Sequence, residues 1–164
     1  MEAPRGDRAS SSEVADLVAP ALAGARERAG VRRVALFWRE DDRGAPTLRC
    51  VATAAAAGPE GWVGERLAGG IGMAWRAVSE GRPVWTPDLL ADPDVPVAAW
   101  LRDRLEREGL RAVAAVPVRV GGVVRGALGF LDPAGRRFDA GDLARLAAES
   151  EALGTALRPG ADRP

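Results

Sequence analysis

The chain has no histidine, lysine, tyrosine, asparagine or glutamine, and only one cysteine and one isoleucine among 164 residues. Each gap removes some chemistry. Without histidine or lysine a serine nucleophile lacks its usual base, and the imidazole that binds haem and most transition metals is missing. A lone thiol, Cys50, can make neither an intrachain disulfide nor a clustered thiolate metal site, so no metal or other cofactor is expected. All 23 basic residues are arginine and 23 carboxylates balance them, so a net charge of zero gives no electrostatic case for nucleic acid or an anionic membrane. No apolar run approaches the roughly 18 residues of a membrane span. The polar stretch Met1 to Ser12 does not read as a signal peptide, and a cytoplasmic protein is expected.

What is present is enough for a core, since 47% of the residues are hydrophobic. The abundance of Ala, Arg, Gly and Pro matches the coding bias of a GC-rich bacterial genome. An alanine is therefore weaker evidence of design here than elsewhere. One domain over residues 10–157 is expected, between a disordered lead (1–9) and a disordered tail (158–164).

Ser10 and Glu13 fit a capping box opening a helix that runs to Gly30, with Pro20 imposing a kink or a late start. Val34 to Glu40 and Thr47 to Thr53 read as strands joined by a turn over Asp41 to Pro46. An Ala/Gly/Pro-rich loop, with room for a short strand, leads to a helix over Met73 to Glu80. A short strand at Val84 to Thr86 and a turn-rich segment precede a helix from Val97 to Glu108. Leu110 to Val120 and Val123 to Leu131 form a hairpin around Gly121-Gly122, and Asp139 caps a last helix. This order predicts an α/β (α+β) domain with one antiparallel sheet flanked by helices on both sides.

Strand alternation separates two unequal faces. Val34, Leu36 and Trp38 share one face with Leu128 and Phe130 on their own strand, whereas Ala35, Phe37, Ala127 and Gly129 point the other way. The bulky face is expected to bury against the terminal helices. The barer face either lines a cavity or seats a closely packed helix, since both leave the same trace. Glu40, Asp41 and Asp42, like Asp92 and Asp94, read as solvated turn carboxylates rather than an acid/base pair. Gly69, Gly70 and Gly72 lack the lysine and spacing of a phosphate loop and read as a helix entry. Cys50, inside an apolar strand, reads as buried and inert.

Several short patterns recur in a fixed order: Gly72-Met73-Ala74, Gly81-Arg82-Pro83-Val84, Pro87-Asp88, Asp92-Pro93, Gly109-Leu110-Arg111-Ala112-Val113, Val116-Pro117-Val118, Val123 to Gly129, and Arg137-Phe138-Asp139. In that order and spacing the chain resembles a GAF domain from about Glu13 to Leu157. The resemblance implies a central antiparallel sheet with the terminal helices on one face and a small-molecule pocket on the other. Carried over by position, Ala35, Phe37 and Thr53 would form the pocket floor. Met73 and Ala74 would present backbone N–H groups at a helix N-terminus. Pro87 to Leu101, with Trp100, would form a lid, and Ala115 with Gly129 the back wall. Trp85 and Trp100 are the candidates for stacking on a flat ligand, while Trp75 stands where the family often has glycine and would narrow the mouth.

The missing residues also bear on the family's specialised branches. Haem sensors use an axial histidine, bilin binders a cysteine beside histidine, and the free methionine sulfoxide reductases a second, resolving cysteine. The phosphodiesterase signature needs Asn and Lys. The resemblance therefore implies a non-catalytic sensory or regulatory module that binds a small planar or apolar metabolite without a covalent bond. It would form a homodimer through its first and last helices. No output segment is visible, so a signal is expected to pass to a partner protein or to domains outside the given sequence. The alternative is a ligand-free scaffold whose pocket is filled by tryptophan.

Overall fold

A computed structural model describes residues 11–42, 44–56 and 61–158. Helix α1 (Ser11–Ala29) leads into strands β1 (Arg33–Asp42), β2 (Ala45–Ala55) and β3 (Arg66–Ala68). Helix α2 (Met73–Glu80), strand β4 (Val84–Thr86), a 3-10 turn at Leu89–Ala91 and helix α3 (Ala99–Glu108) follow. The hairpin β5 (Ala112–Val120) and β6 (Val123–Asp132) and helix α4 (Ala140–Ala156) complete the chain. The six strands form one antiparallel sheet in the order β3-β2-β1-β6-β5-β4.

Alternation along each strand divides the core in two. Val34, Leu36 and Trp38 of β1, Val116 and Val118 of β5, and Leu128 and Phe130 of β6 pack with Val14, Val18 and Leu22 of α1 and Leu146 and Leu153 of α4. The opposite, inner face carries Ala35, Phe37, Val113, Ala115 and Ala127 under α2, α3 and the segment around Trp62. Because helices cover both faces, β5 is buried without a break from Ala112 to Val118, which explains its continuous apolar run.

Local chemistry fixes the connections. Gly121 and Gly122 both hold positive φ, 60° and 83°, as a two-residue hairpin of this twist requires. Asp139 accepts a bond from the Asp142 N–H at 2.8 Å while Asp142 accepts one from the Asp139 N–H at 3.0 Å, a reciprocal cap that opens α4. That bond, together with Arg145, holds the Asp142 carboxyl below its ordinary pKa. Ser150 of α4 then donates to the Pro117 carbonyl at 2.5 Å, fixing the helix to β5.

Some expectations are corrected. Pro20 does not delay α1, which is helical from Ser11 through the proline. The turn between β1 and β2 is tighter than Asp41 to Pro46, because Asp42 already pairs with Ala45. The loop after β2 does contain a short edge strand, β3, for which the sequence left room. Ser10 of the capping box, the lead (1–9) and, apart from Arg158, the tail (158–164) lie outside the described residues. Among the described residues no helix is long and apolar enough to cross a membrane.

Candidate functional site

One row of residues crosses five strands. Thr53 of β2 pairs with Ala35 of β1, Ala35 with Gly129 of β6, Gly129 with Ala115 of β5, and Ala115 with Val84 of β4. Four of the residues expected to line a pocket, Ala35, Thr53, Ala115 and Gly129, are thus brought into one transverse line, with a strip of minimal side chains at its centre. Phe37, two residues along β1, leans over the strip. Its ring edge lies 3.9 Å from where a Cβ on Gly129 would stand.

Two tryptophans close over this floor. Trp100 on α3 has its ring centroid 6.5 Å from that of Phe37 and meets Trp62 edge-on at 5.7 Å. Its indole N–H donates to the Arg66 carbonyl at 2.8 Å, and the Trp75 indole donates to the next carbonyl, Leu67, at the same distance. Both bonds tie helices to edge strand β3. Met73 and Ala74 open α2 as expected, with Gly72 at φ 95° as its N-cap, and both side chains are buried in the inner cluster.

Trp85 does not join this group. Val84 and Thr86 face inward, so strand geometry turns Trp85 to the other side of the sheet. There it packs against Phe138 at 6.1 Å with the Arg137 guanidinium 5.9 Å above it. The expectation that Trp85 stacks on an inner-face ligand is corrected on that ground, and the alternation around it was the signal that places it.

Arg33 and Glu108, not singled out from the sequence, form the polar end of the site together with Thr53 and Trp62. Arg33 opens β1 and donates from Nε to Glu108 Oε1 at 2.8 Å and from Nη1 to Thr53 Oγ1 at 2.8 Å. Trp62 Nε1 donates to Glu108 Oε2 at 2.7 Å, and the Arg33 guanidinium lies 4.9 Å over the Trp62 ring. This ion pair is buried, with side chains 4% and 7% exposed. One turn back on α3, Arg104 donates to the Gly61 carbonyl at 3.2 Å. Trp100, Arg104 and Glu108 therefore form an i, i+4, i+8 stripe facing one neighbouring segment.

The other candidate groups behave as structure. Cys50 is fully buried on the inner side of β2, where burial pushes its thiol up to about 12. Glu40 lies 3.8 Å from Arg66 and 3.9 Å from Arg49, and Asp41 is 3.6 Å from Arg39. Asp88 accepts from Leu90 N–H and Asp92 from Asp94 N–H, ordering the turns before α3. Among the described residues no cluster of potential metal ligands occurs, and no buried side-chain polar atom lacks a hydrogen-bond partner.

Comparison with known proteins agrees with this architecture. The sequence profile of the GAF domain family matches residues 13–157. No curated protein matches the chain in sequence. Among solved structures, it resembles the type II free methionine-R-sulfoxide reductase of Thermoplasma acidophilum, with a TM-score of 0.68 and 17% identity over 89% of this chain and 93% of that one. The free methionine-R-sulfoxide reductase of Neisseria meningitidis, solved with its substrate, gives 0.66 and 22% over 90% and 78%. The GAF domain of PixJ from Thermosynechococcus elongatus, in its blue-light absorbing form, gives 0.63 and 17% over 85% and 81%. Two of these neighbours are enzymes, so the expectation that the chain is not an enzyme is withdrawn. At such identities the likeness carries over the fold alone.

Proposed function

The chain belongs to the GAF domain family, a sensory and regulatory fold that binds small molecules, and from that premise we propose that it recognises a small, flat, largely apolar metabolite between the sheet and helices α2 and α3. Binding is non-covalent, and the signal passes to a partner protein. The observation that carries this reading is the aromatic group Phe37, Trp62 and Trp100 closing over the strip Ala35, Gly129 and Ala115. Small side chains below and flat rings above suit a planar guest, which gains both apolar burial and ring contact there. A panel of metabolites followed by tryptophan emission and melting temperature tests it. Trp100→Ala is expected to weaken a hit at least about tenfold, the loss of roughly 1.4 kcal/mol of ring contact and burial. A hit whose affinity ignores that change does not sit under Trp100.

A second reading is a ligand-free scaffold, favoured by how fully Phe37, Met73 and Ala74 are already buried by their neighbours. A panel that moves neither emission nor melting temperature selects it. Under either reading a second copy of the chain is the proposed partner of α1 and α4. These helices border an apolar groove of 160 Å³ that includes Leu17, 46% exposed, and is edged by the Arg28–Glu149 pair. A rim carrying both charges can complement its own copy across a two-fold axis.

A further inference from the structure

The Glu108 carboxylate sits in a site built for such a group. Arg33 Nε–H reaches one oxygen at 2.8 Å and Trp62 Nε1–H the other at 2.7 Å. Thr53 Oγ1 and the face of Trp62 fix the guanidinium from two further sides. Charge-assisted bonds to both oxygens of one carboxylate are short, directional and selective. A buried ion pair of this kind adds little net stability, because desolvation offsets its Coulombic attraction. Stability alone therefore gives weak grounds for keeping a charge pair at the edge of an otherwise apolar, aromatic space. Position gives stronger ones, since Trp62 belongs both to the carboxylate site and to the ring group under α3.

We propose that Arg33 and Trp62 form a carboxylate-recognition site that Glu108 fills as an internal occupant, and that a ligand bearing a carboxylate displaces it and frees the C-terminal end of α3. The proposal rests on reading the inner face as the ligand site and adds the ligand's chemical class: an anionic head on a flat apolar body. The exchange conserves charge at every point. One carboxylate leaves the guanidinium as another arrives, so Arg33 keeps its counter-charge, and the released Glu108 is rehydrated at the helix end. Of the three residues by which the α3 stripe holds the neighbouring segment, Glu108 is lost while Trp100 and Arg104 remain. The helix end thereby becomes the reporter of occupancy.

Glu108→Ala empties the site and makes it testable without the natural ligand. The variant is expected to melt about 10 °C lower, because it removes the carboxylate that Arg33 and Trp62 both bind. Sodium acetate should recover several degrees of that loss saturably, while sodium chloride at equal ionic strength does not. Wild type, whose site stays filled by a tethered carboxylate, should show no acetate effect. If Glu108→Ala fails to fold, Glu108→Asp, one methylene short of the site, should show the same dependence in smaller measure. Acetate and chloride acting alike on Glu108→Ala and Glu108→Asp would overturn the site, whatever the metabolite panel and Trp100→Ala give. In wild type, 2-naphthoate should speed amide hydrogen exchange in residues 99–108 but not in 112–132, and the uncharged 2-naphthamide should not. No difference between acid and amide would overturn the displacement.

Discussion

A thiol buried in an apolar strand ordinarily titrates unseen, because lysine and tyrosine lose protons in the same alkaline range, roughly pH 9 to 12. Here neither exists, so Cys50 is the only side chain that changes charge there. Once unfolded, the thiol ionises near its ordinary value of 9.0, whereas burial holds the folded one protonated to about 12. The folded state therefore binds the extra proton, and its stability is intact below pH 9 and falls as pH rises toward 12. Thermal melts from pH 8 to 11.5 should show this decline in wild type and a much flatter curve in Cys50→Ala. Equal slopes would mean that Cys50 is not the group responsible. The inertness of Cys50 was legible from its apolar strand. The Arg33–Glu108 pair was not, because 75 positions separate the partners and no local pattern links them.

Among the elements, α4 shows how tertiary contact overrides local preference. Gly154 lies inside this helix, where alanine would ordinarily stabilise by about 1 kcal/mol. A Cβ at that position would stand 2.0 Å from the Arg119 carbonyl oxygen, so the helix would have to lift off β5. Overpacking of this kind costs roughly 1–3 kcal/mol and sometimes more. Gly154→Ala is therefore expected to lower the urea midpoint despite its better helix propensity, and a raised midpoint would show that the helix yields freely. Elements whose pattern and punctuation agree were legible: the Gly121-Gly122 hairpin, the Asp139 cap and the alternation of β1 and β6. Strand β3 was seen only as a possibility, because three residues beside a Gly/Ala-rich loop carry no period. The α3 stripe of Trp100, Arg104 and Glu108 was not read from the sequence, because the segment it faces is set by the fold.

At the scale of the whole molecule, the two faces of the sheet make separable predictions. Changes at Trp100 bear on ligand affinity, whereas the proposed homodimer depends on the α1–α4 face. Leu17→Asp places a charge in that groove and should halve the mass seen by sedimentation while leaving the far-ultraviolet spectrum unchanged. A wild type that sediments as a monomer at every concentration sinks the dimer. The division into faces could be read from strand alternation, whereas the grouping of Ala35, Thr53, Ala115 and Gly129 came from the family resemblance and their single row from the strand register. The order of the strands across the sheet required the structure, and it has its own consequence. Strand β1 lies between β2 and β6, with Val34 paired to Phe130. During synthesis β1 and β2 leave the ribosome with one edge of β1 unpaired, and its partner β6 follows only after β3, α2, β4, α3 and β5 have been made. For that interval the nascent chain displays an open edge flanked by Leu36 and Phe37. Until β6 pairs with it, that edge is a template on which another chain can add a strand.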